Sequence, residues 1–574
     1  MSSRPEHALT RGERAWPWVE GALLALVVLL VLAFAGDAVR ASYHGYLHVT
    51  VGEAVLRDGL VPENPYHAGA PLRYYTLYPA LGVLLGRTGI GPLWGFVVLN
   101  VLAAFLLAPA LDAAGRACGL GFVARRAAFL AAVLGFNALG WTGYLTIDAT
   151  QFGRAPVYAL SPLCWAGHPF GWDGRLHAFL PKFLNVSSFA LALPFALWAL
   201  SAAFGAPSSR RIALAGLALG VSTALNPLAG AVAGACLAVA AVPDVVRGNL
   251  GKRAAWGASA ALAAAASAPF LLPALQPAPR GPSLTGNPDL GGSPVANLLG
   301  PLALLLPLAL LGLAQLERPT RWRLAFAAGL CAVLVLVGEM PQGNEYKLER
   351  MLALVLALPA GALAGAWWTS GALGRRKALA CVVVALPTFA VVPWAYLVYG
   401  ARAPALPLSL VERGRLLPEH SAQTTLPWVL AVQGRFTDRR AVVVLSHDEL
   451  GSRLDAGLVQ GNALAPALDR PLFVDLPQIH NEGQPDLERR LDLVAALYRG
   501  EAFRARDGAV RSRAAALAEL RGVLPDRPLL VYVDDADAET GAALLAVGAK
   551  PGWAEGGCAL YSLPALASAV REER

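Results

Sequence analysis

Four polar stretches interrupt an otherwise apolar chain, and each carries residue types that can do chemistry. The first opens at Asp37 and continues through SYHGYLH, with His44 and His48 four residues apart. Asp37 stands at the outer end of the first apolar run. There a carboxylate can act as base toward a lipid-borne substrate, or stand as a solvated helix-end group. On a helix, His44 and His48 share one face, a spacing that suits a shared divalent metal or two interfacial hydrogen bonds. The second stretch, PENPYHAGAPLRYYTLYPAL, sets Arg73 beside Tyr74 and Tyr75. Pro62, Pro65 and Pro71 fix an extended path that can present phenols and a guanidinium to an anionic or sugar ligand. The same tyrosines also fit an aromatic belt at a membrane interface.

The third stretch, GHPFGWDGRLHAFLPKFLN, gathers Trp172, Asp173, His177 and Lys182. An indole can stack on the C–H face of a sugar while carboxylate and imidazole bond its hydroxyls; the alternative is a loop that packs on its neighbours. The fourth, GEMPQGNEYKLERM, brings Glu345, Lys347 and Arg350 to the mouth of an apolar run. Lys347 and Arg350 are three residues apart, so on a helix both can face one phosphate. The competing reading is Glu–Lys pairing along a helix start. There is no G-x-S-x-G, H-E-x-x-H or protein-kinase signature set, and the six cysteines form no C-x-x-C. No motif calls for a cofactor, and a metal enters only through the histidine pair.

The elements that must position these residues follow from composition. The chain has 574 residues, 56% of them hydrophobic and only 15% charged, with a mean hydropathy of +0.50. Apolar runs long enough to cross about 30 Å of hydrocarbon recur along it, which excludes a soluble fold and predicts a polytopic α-helical membrane protein. The net charge of +8 sits largely in short loops that orient helices, and is not read as a nucleic-acid surface. The first run, Val19–Ala35, lacks a small-residue cleavage site and is predicted to be a retained span. About eleven spans are expected: Val19–Ala35, Pro92–Leu111, Ala127–Leu145, Leu184–Phe204, Ile212–Leu225, Leu228–Val242, Ala254–Leu272, Leu298–Leu316, Leu324–Gly338, Met351–Trp368 and Leu379–Val398. Leu77–Gly86 is too short to span and reads as a re-entrant or interfacial helix. If that run does not cross, the basic clusters around Arg125, Arg210, Lys252, Arg321 and Arg375 all fall on the side of the N-terminal Arg4, Arg11 and Arg14. The positive-inside rule then puts the N-terminus in the cytoplasm of a bacterial inner membrane, and loops 36–76, 146–181, 276–294 and 339–350 outside.

From residue 401 to 574 the pattern changes to short β-branched runs alternating with amphipathic ones, as in RAVVVLSHDELGSRL and RPLLVYVDDADAETGAALLAVGA. That predicts a small extracytoplasmic α/β domain after a transmembrane domain of residues 1–400. It has no G-x-G-x-x-G or Walker loop, so no nucleotide site is expected there.

Together, the first span, the external loop opening on an acidic residue, the proline–tyrosine stretch, the further spans and the terminal α/β domain resemble the GT-C superfamily. These are integral-membrane glycosyltransferases that use polyprenyl-phosphate-linked sugars. ENPYHAGAPLRYYTLYPAL, LPKFLNVSSFALAL, ALNPLAG and GNEYKLERMLALVLALPAG also resemble stretches of the YYY-type bacterial and archaeal membrane proteins placed in or beside that group. The resemblance implies a GT-C-like fold, a catalytic carboxylate in the first external loop and a basic residue for the donor phosphate. The acidic position upstream of the Gly59 turn carries His44 and Gly45 here, which leaves Asp37 as the nearest upstream acid. Lys347 matches the phosphate residue, with Arg350 beside it.

The expected function is transfer of a sugar from a polyprenyl-phosphate donor to a cell-envelope glycan, lipid or protein acceptor on the outer membrane face. Asp37 and His44 are the catalytic candidates. His48, Arg73, Tyr74, Tyr75, Trp172, Asp173, His177, Lys182, Glu345, Lys347 and Arg350 are the substrate-binding ones. The alternative is a non-catalytic protein that binds lipid-linked glycans or assists their assembly or export. A transporter ranks behind both, because no internal repeat stands out and the runs are poor in ionisable residues at mid-depth.

Overall fold

The computed structural model describes residues 10–36, 40, 45–140, 179–248, 250–271, 298–338, 346–402, 431–432, 434–445, 468, 470–474, 484, 486–534, 537–555 and 558–566. The chain divides into two compact units. One comprises Met1–Ser42, Phe96–Leu271 and Pro282–Ala403; the other comprises Tyr43–Gly95, Leu272–Gly281 and Pro404–Arg574. The division therefore differs from a single cut near residue 400, because the polar stretch after the first span clusters with the C-terminal domain.

The first unit is helical. Its described helices are α1 (Arg11–Phe34), α4 (Pro92–Ala117, from Phe96 onward), α5 (Phe122–Leu134), α6 (Pro181–Leu184), α7 (Ser188–Phe204), α8 (Ser209–Leu225), α9 (Pro227–Arg247), α10 (Leu250–Leu271), α11 (Leu305–Leu313), α12 (Arg318–Val337), α13 (Tyr346–Thr369) and α14 (Ala372–Arg402). Thr10 opens α1 through a capping box, its hydroxyl accepting from the Glu13 N–H while the Glu13 carboxylate accepts from the Thr10 N–H. Among the described residues seven helices are long and apolar enough to cross a membrane, which makes the protein multi-pass.

That is fewer than the eleven runs predicted, for local reasons. In the run Ala127–Leu145, α5 stops at Leu134 and the chain turns over residues 136–140. The run Leu298–Leu316 is interrupted at residues 300–304, where Pro301 disfavours helical geometry in the residue before it. The runs at Leu184–Phe204 and Ile212–Leu225 form helices of 17 residues each.

α13 is the central helix: 78% of its apolar window is buried, against 17% for α14. Small residues make that possible. A Cβ on Gly312 of α11 would stand 1.8 Å from the Pro359 carbonyl oxygen of α13, and one on Gly361 of α13 would stand 2.6 Å from that of Ala124 in α5. These close approaches hold rigid the helix that begins with Lys347 and Arg350.

The basic cluster Arg116, Arg125 and Arg126 does more than orient helices. Arg125 and Arg126 stand in the first turn of α5, and both donate to Asp112, which is wholly buried. Arg116 reaches the same carboxylate at 3.2 Å, and Arg126 also pairs with Glu20 at 2.6 Å.

The second unit contains α2 (Gly45–Asp58), the tyrosine loop, α3 (Leu77–Leu85) and a π-helical turn at Gly86–Ile90. At nine residues α3 has the short length expected of the run that does not span. The C-terminal part adds β1 (Val442–Val444), α15 (Leu487–Arg499), α16 (Arg513–Val523), β2 (Leu529–Asp534), α17 (Ala538–Ala546), β3 (Lys550–Glu555) and β4 (Cys558–Leu563). The sheet order is β1-β2-β4-β3, with β1 parallel to β2 and the remaining pairs antiparallel. Leu472 forms a further parallel bridge to Val443. The tyrosine loop continues that edge: Ala68 N–H donates to Leu472 O (2.9 Å), and Leu472 N–H donates to Pro65 O (2.8 Å). Ala68 is buried in the same apolar cluster as Val442, Leu517 and Val531. The tyrosine loop thus covers a sheet edge that would otherwise offer unpaired backbone groups.

Candidate functional site

In the helical unit Lys182 feels the charges of Arg350 and Lys347, from which the sequence keeps it far apart. Lys182 lies on α6, a four-residue helix that precedes the apolar helix α7, and it is buried. Burial, then the charges of Arg350 and Lys347, push its ammonium well below the usual lysine range. Arg350 is the largest fully buried side chain among the described residues. Its guanidinium lies 5.7 Å from the centre of the Phe136 ring, a cation–π contact that can hold a charge out of water. Lys347 is half-buried at the start of α13, and Glu349, between the two basic residues, is buried. The helical spacing read from the sequence places Lys347 and Arg350 on neighbouring positions, and the fold adds Lys182 to them.

A set of amides and hydroxyls fixes the Lys182 segment. Asn100 Nδ2 donates to the Asn185 carbonyl (2.9 Å), and the Tyr396 hydroxyl donates to Asn185 Oδ1 (3.1 Å). Asn226, from ALNPLAG, is the N-cap of α9, with Oδ1 accepting from Ala229 N–H, and its Nδ2 donates to Ser188 Oγ (3.2 Å). Buried polar groups joined in this way hold one arrangement because alternatives would leave them unsatisfied. The Asn residues of LPKFLNVSSF and ALNPLAG are therefore positioning groups that the candidate list did not contain. Their signal was an amide at the edge of an apolar run, followed directly by Pro227 at Asn226 and two residues later by Ser187 at Asn185.

In the second unit the aromatic residues are occupied with one another. His48, buried on α2, meets Tyr78 edge-on at 5.0 Å and Tyr74 at 5.7 Å. Tyr74 and Tyr75 stack at 4.2 Å, and the Tyr74 hydroxyl donates to that of Tyr75 (2.9 Å). His67, not singled out from the sequence, is the pivot of the loop. Its Nε2 lies 2.8 Å from Asp486 Oδ1, and Arg490 donates to Asp486 Oδ2 (2.6 Å) and to the carbonyls of Ala68 and Phe473. Burial lowers the His67 pKa below the usual imidazole range although Asp486 opposes this. At neutral pH the ring is therefore uncharged and donates to the carboxylate. Arg527 reaches Glu63 at 2.9 Å, and Glu63 also accepts from Gly69 N–H. The loop does not run extended as expected from its prolines: it folds back through turns at residues 65–70, with Asn64 N–H donating to Ala70 O and Leu72 N–H to Pro62 O, and one buried histidine and two ion pairs hold it there.

Of the remaining candidates, Arg73 is half-buried in the tyrosine loop. Asp37, His44, Trp172, Asp173, His177 and Glu345 lie outside the described residues. Among the described residues no group of three His, Cys, Asp or Glu side chains is placed to hold a metal ion.

No protein-family model matches the chain, and no curated protein is significantly similar to it in sequence. The fold does have solved neighbours. It is similar to ArnT from Cupriavidus metallidurans bound to undecaprenyl phosphate, with a TM-score of 0.50 and 12% identity, over 96% of this chain and 98% of that one. The apo state of the same protein aligns with a TM-score of 0.49 and 13% identity, over the same shares of each chain. The likeness runs over nearly the whole of both chains and is one of fold.

Proposed function

We propose that this chain is a membrane glycosyltransferase that takes its sugar from a polyprenyl-phosphate donor on the outer face of the inner membrane. The observation that carries this reading is the meeting of Lys182, Lys347 and Arg350 in the helical unit. A phosphate ester of a long lipid is the ligand whose charge suits three cations set beside apolar helices. Arg350 offers a planar fork for two phosphate oxygens, and the lysines offer point charges. The solved neighbour of like fold, which holds undecaprenyl phosphate, supports the same class of ligand.

In the proposed reaction an acceptor hydroxyl or amine attacks the anomeric carbon, and the bond from that carbon to the phosphate oxygen breaks. The polyprenyl phosphate leaves with the bonding electrons, its new charge held by the three cations. Asp37, assisted by His44, takes the acceptor's proton. In this reading the N-terminus lies in the cytoplasm and the C-terminal domain outside, where a flipped donor is accessible and where the tyrosine loop and its α/β domain serve acceptor recognition.

The test is binding of undecaprenyl phosphate to the purified protein in detergent, with Arg350→Ala alongside. Loss of a charge-assisted contact predicts binding weaker by about tenfold to a hundredfold. Equal affinity in the variant, or no binding by the wild type, overturns the reading. Binding without turnover of any lipid-linked sugar, in a protein whose affinity depends on Arg350, would favour the non-catalytic alternative.

A further inference from the structure

Asn137 follows α5 in the turn at residues 136–140 and has a left-handed backbone, φ 54°, unique among the described non-glycine residues. Asparagine tolerates that conformation, and glycine adopts it more readily still. The backbone is well held: Asn137 N–H donates to Pro301 O (2.7 Å), and its carbonyl accepts from Gly140 N–H (2.9 Å). The side chain is not. It is 0% exposed, yet neither Oδ1 nor Nδ2 has a hydrogen-bond partner among the described residues. A buried primary amide with no partner costs stability, and an ordinary core would not keep it. The backbone geometry does not demand it either, since glycine would serve.

The surroundings supply a reason to keep it. Phe136, the preceding residue, carries the Arg350 guanidinium on its ring. Ala138, the following residue, accepts from Thr388 Oγ1 of α14 (3.1 Å). The turn is thus fixed on both sides, and its Phe136 ring meets Arg350 of the basic cluster, while the amide between them is left unsatisfied among the described residues. We infer that Asn137 is a ligand-binding residue of the cationic site, its amide N–H donating to an oxygen of the phosphate head group. A neutral donor beside a guanidinium adds direction to a site otherwise built from charge. The inference rests on the lipid-phosphate reading given above.

Two variants test it, each measured for undecaprenyl phosphate binding and for melting temperature without ligand. Asn137→Gly keeps the left-handed backbone and deletes the amide; Asn137→Asp keeps the shape and replaces the donor by a carboxylate. Asn137→Gly is expected to bind about tenfold more weakly while melting no lower than the wild type, since an unsatisfied buried group has been removed. Asn137→Asp is expected to bind more weakly again, because its charge repels phosphate. A merely structural residue would instead lower the melting temperature and leave the affinity of the folded fraction unchanged. Wild-type affinity in both variants, with Arg350→Ala impaired, overturns this inference alone. Wild-type affinity in Arg350→Ala overturns the reading beneath it.

Discussion

Two buried charge clusters in the helical unit make opposite use of arginine. Around Asp112, cations meet carboxylates: Arg116, Arg125 and Arg126 converge on one buried acid, and Glu20 takes a second bond from Arg126. Around Lys182 the charges that act on the ammonium are two more cations, Arg350 and Lys347. A cluster that pairs cations with carboxylates joins helices, whereas basic groups that act on one another suit an anionic ligand, as proposed above.

Removing one carboxylate breaks the matched cluster and gives the largest expected effect. Asp112→Asn leaves three arginines facing one another around a neutral amide, and a loss of about 3–5 kcal/mol is expected. Thermal unfolding of the detergent-solubilised protein would show it as a large drop in melting temperature or a failure to accumulate. If Asp112→Asn melted like the wild type, the matched cluster would not be structural and the contrast would collapse.

The cluster at Lys182 predicts a smaller change, in binding and not in stability. Lys182→Met removes a buried amine that can take up a proton beside Arg350 and Lys347, so undecaprenyl phosphate binding should weaken by about tenfold. It also predicts a proton. Because the Lys182 pKa is depressed in the free protein, an arriving anion draws a proton onto the amine, and affinity should fall as pH rises through that depressed value. Titration calorimetry in buffers of different ionisation enthalpy reads the proton directly, and comparison with Lys182→Met subtracts the proton carried by the phosphate itself. Identical proton uptake in both proteins would mean that Lys182 does not face the ligand.

These two clusters also mark where the sequence was legible. Lys347 and Arg350 could be paired because helical spacing is local, and α3 could be denied a span because length is local. The charged residues near Arg125 read as a loop, since nothing in the pattern says that Asp112 faces inward from α4. That depends on which side of the helix α5 packs against. The tyrosine loop read as an external ligand-binding segment of the transmembrane domain. Its hydrogen bonds to Leu472 and Asp486 join residues some four hundred positions apart, and no periodicity encodes such a pairing. Asn137 fell inside the predicted span Ala127–Leu145, and the turn that holds it is fixed by Pro301 and Thr388, contributed by other elements.

The tyrosine loop supplies the smallest and most gradual expected effect, a pH dependence of its attachment. His67 faces Asp486 and, at longer range, the charges of Arg490 and Arg73. Its folded pKa lies below the unfolded value of about 6.5, so the unfolded chain takes up the proton first. The contribution of neutral His67 is thus present above that value and is lost as pH falls through the folded one. Asp486 follows at lower pH: burial opposes its ionisation, but the His67 hydrogen bond and the Arg490 charge outweigh burial and hold the carboxyl well below its usual range. Its contribution is lost only as pH falls below about 3.9. Once the intrinsic pH dependence of exchange is divided out, the protection of residues 63–72 in the full-length protein should therefore fall as pH drops below about 6.5, by a factor of a few, while the matched cluster at Asp112 stays protected. His67→Gln, which can keep one bond to Asp486 but does not titrate, should flatten that slope. A slope unchanged by His67→Gln would place the titrating group elsewhere and leave the loop held by Arg490 and Arg527 alone.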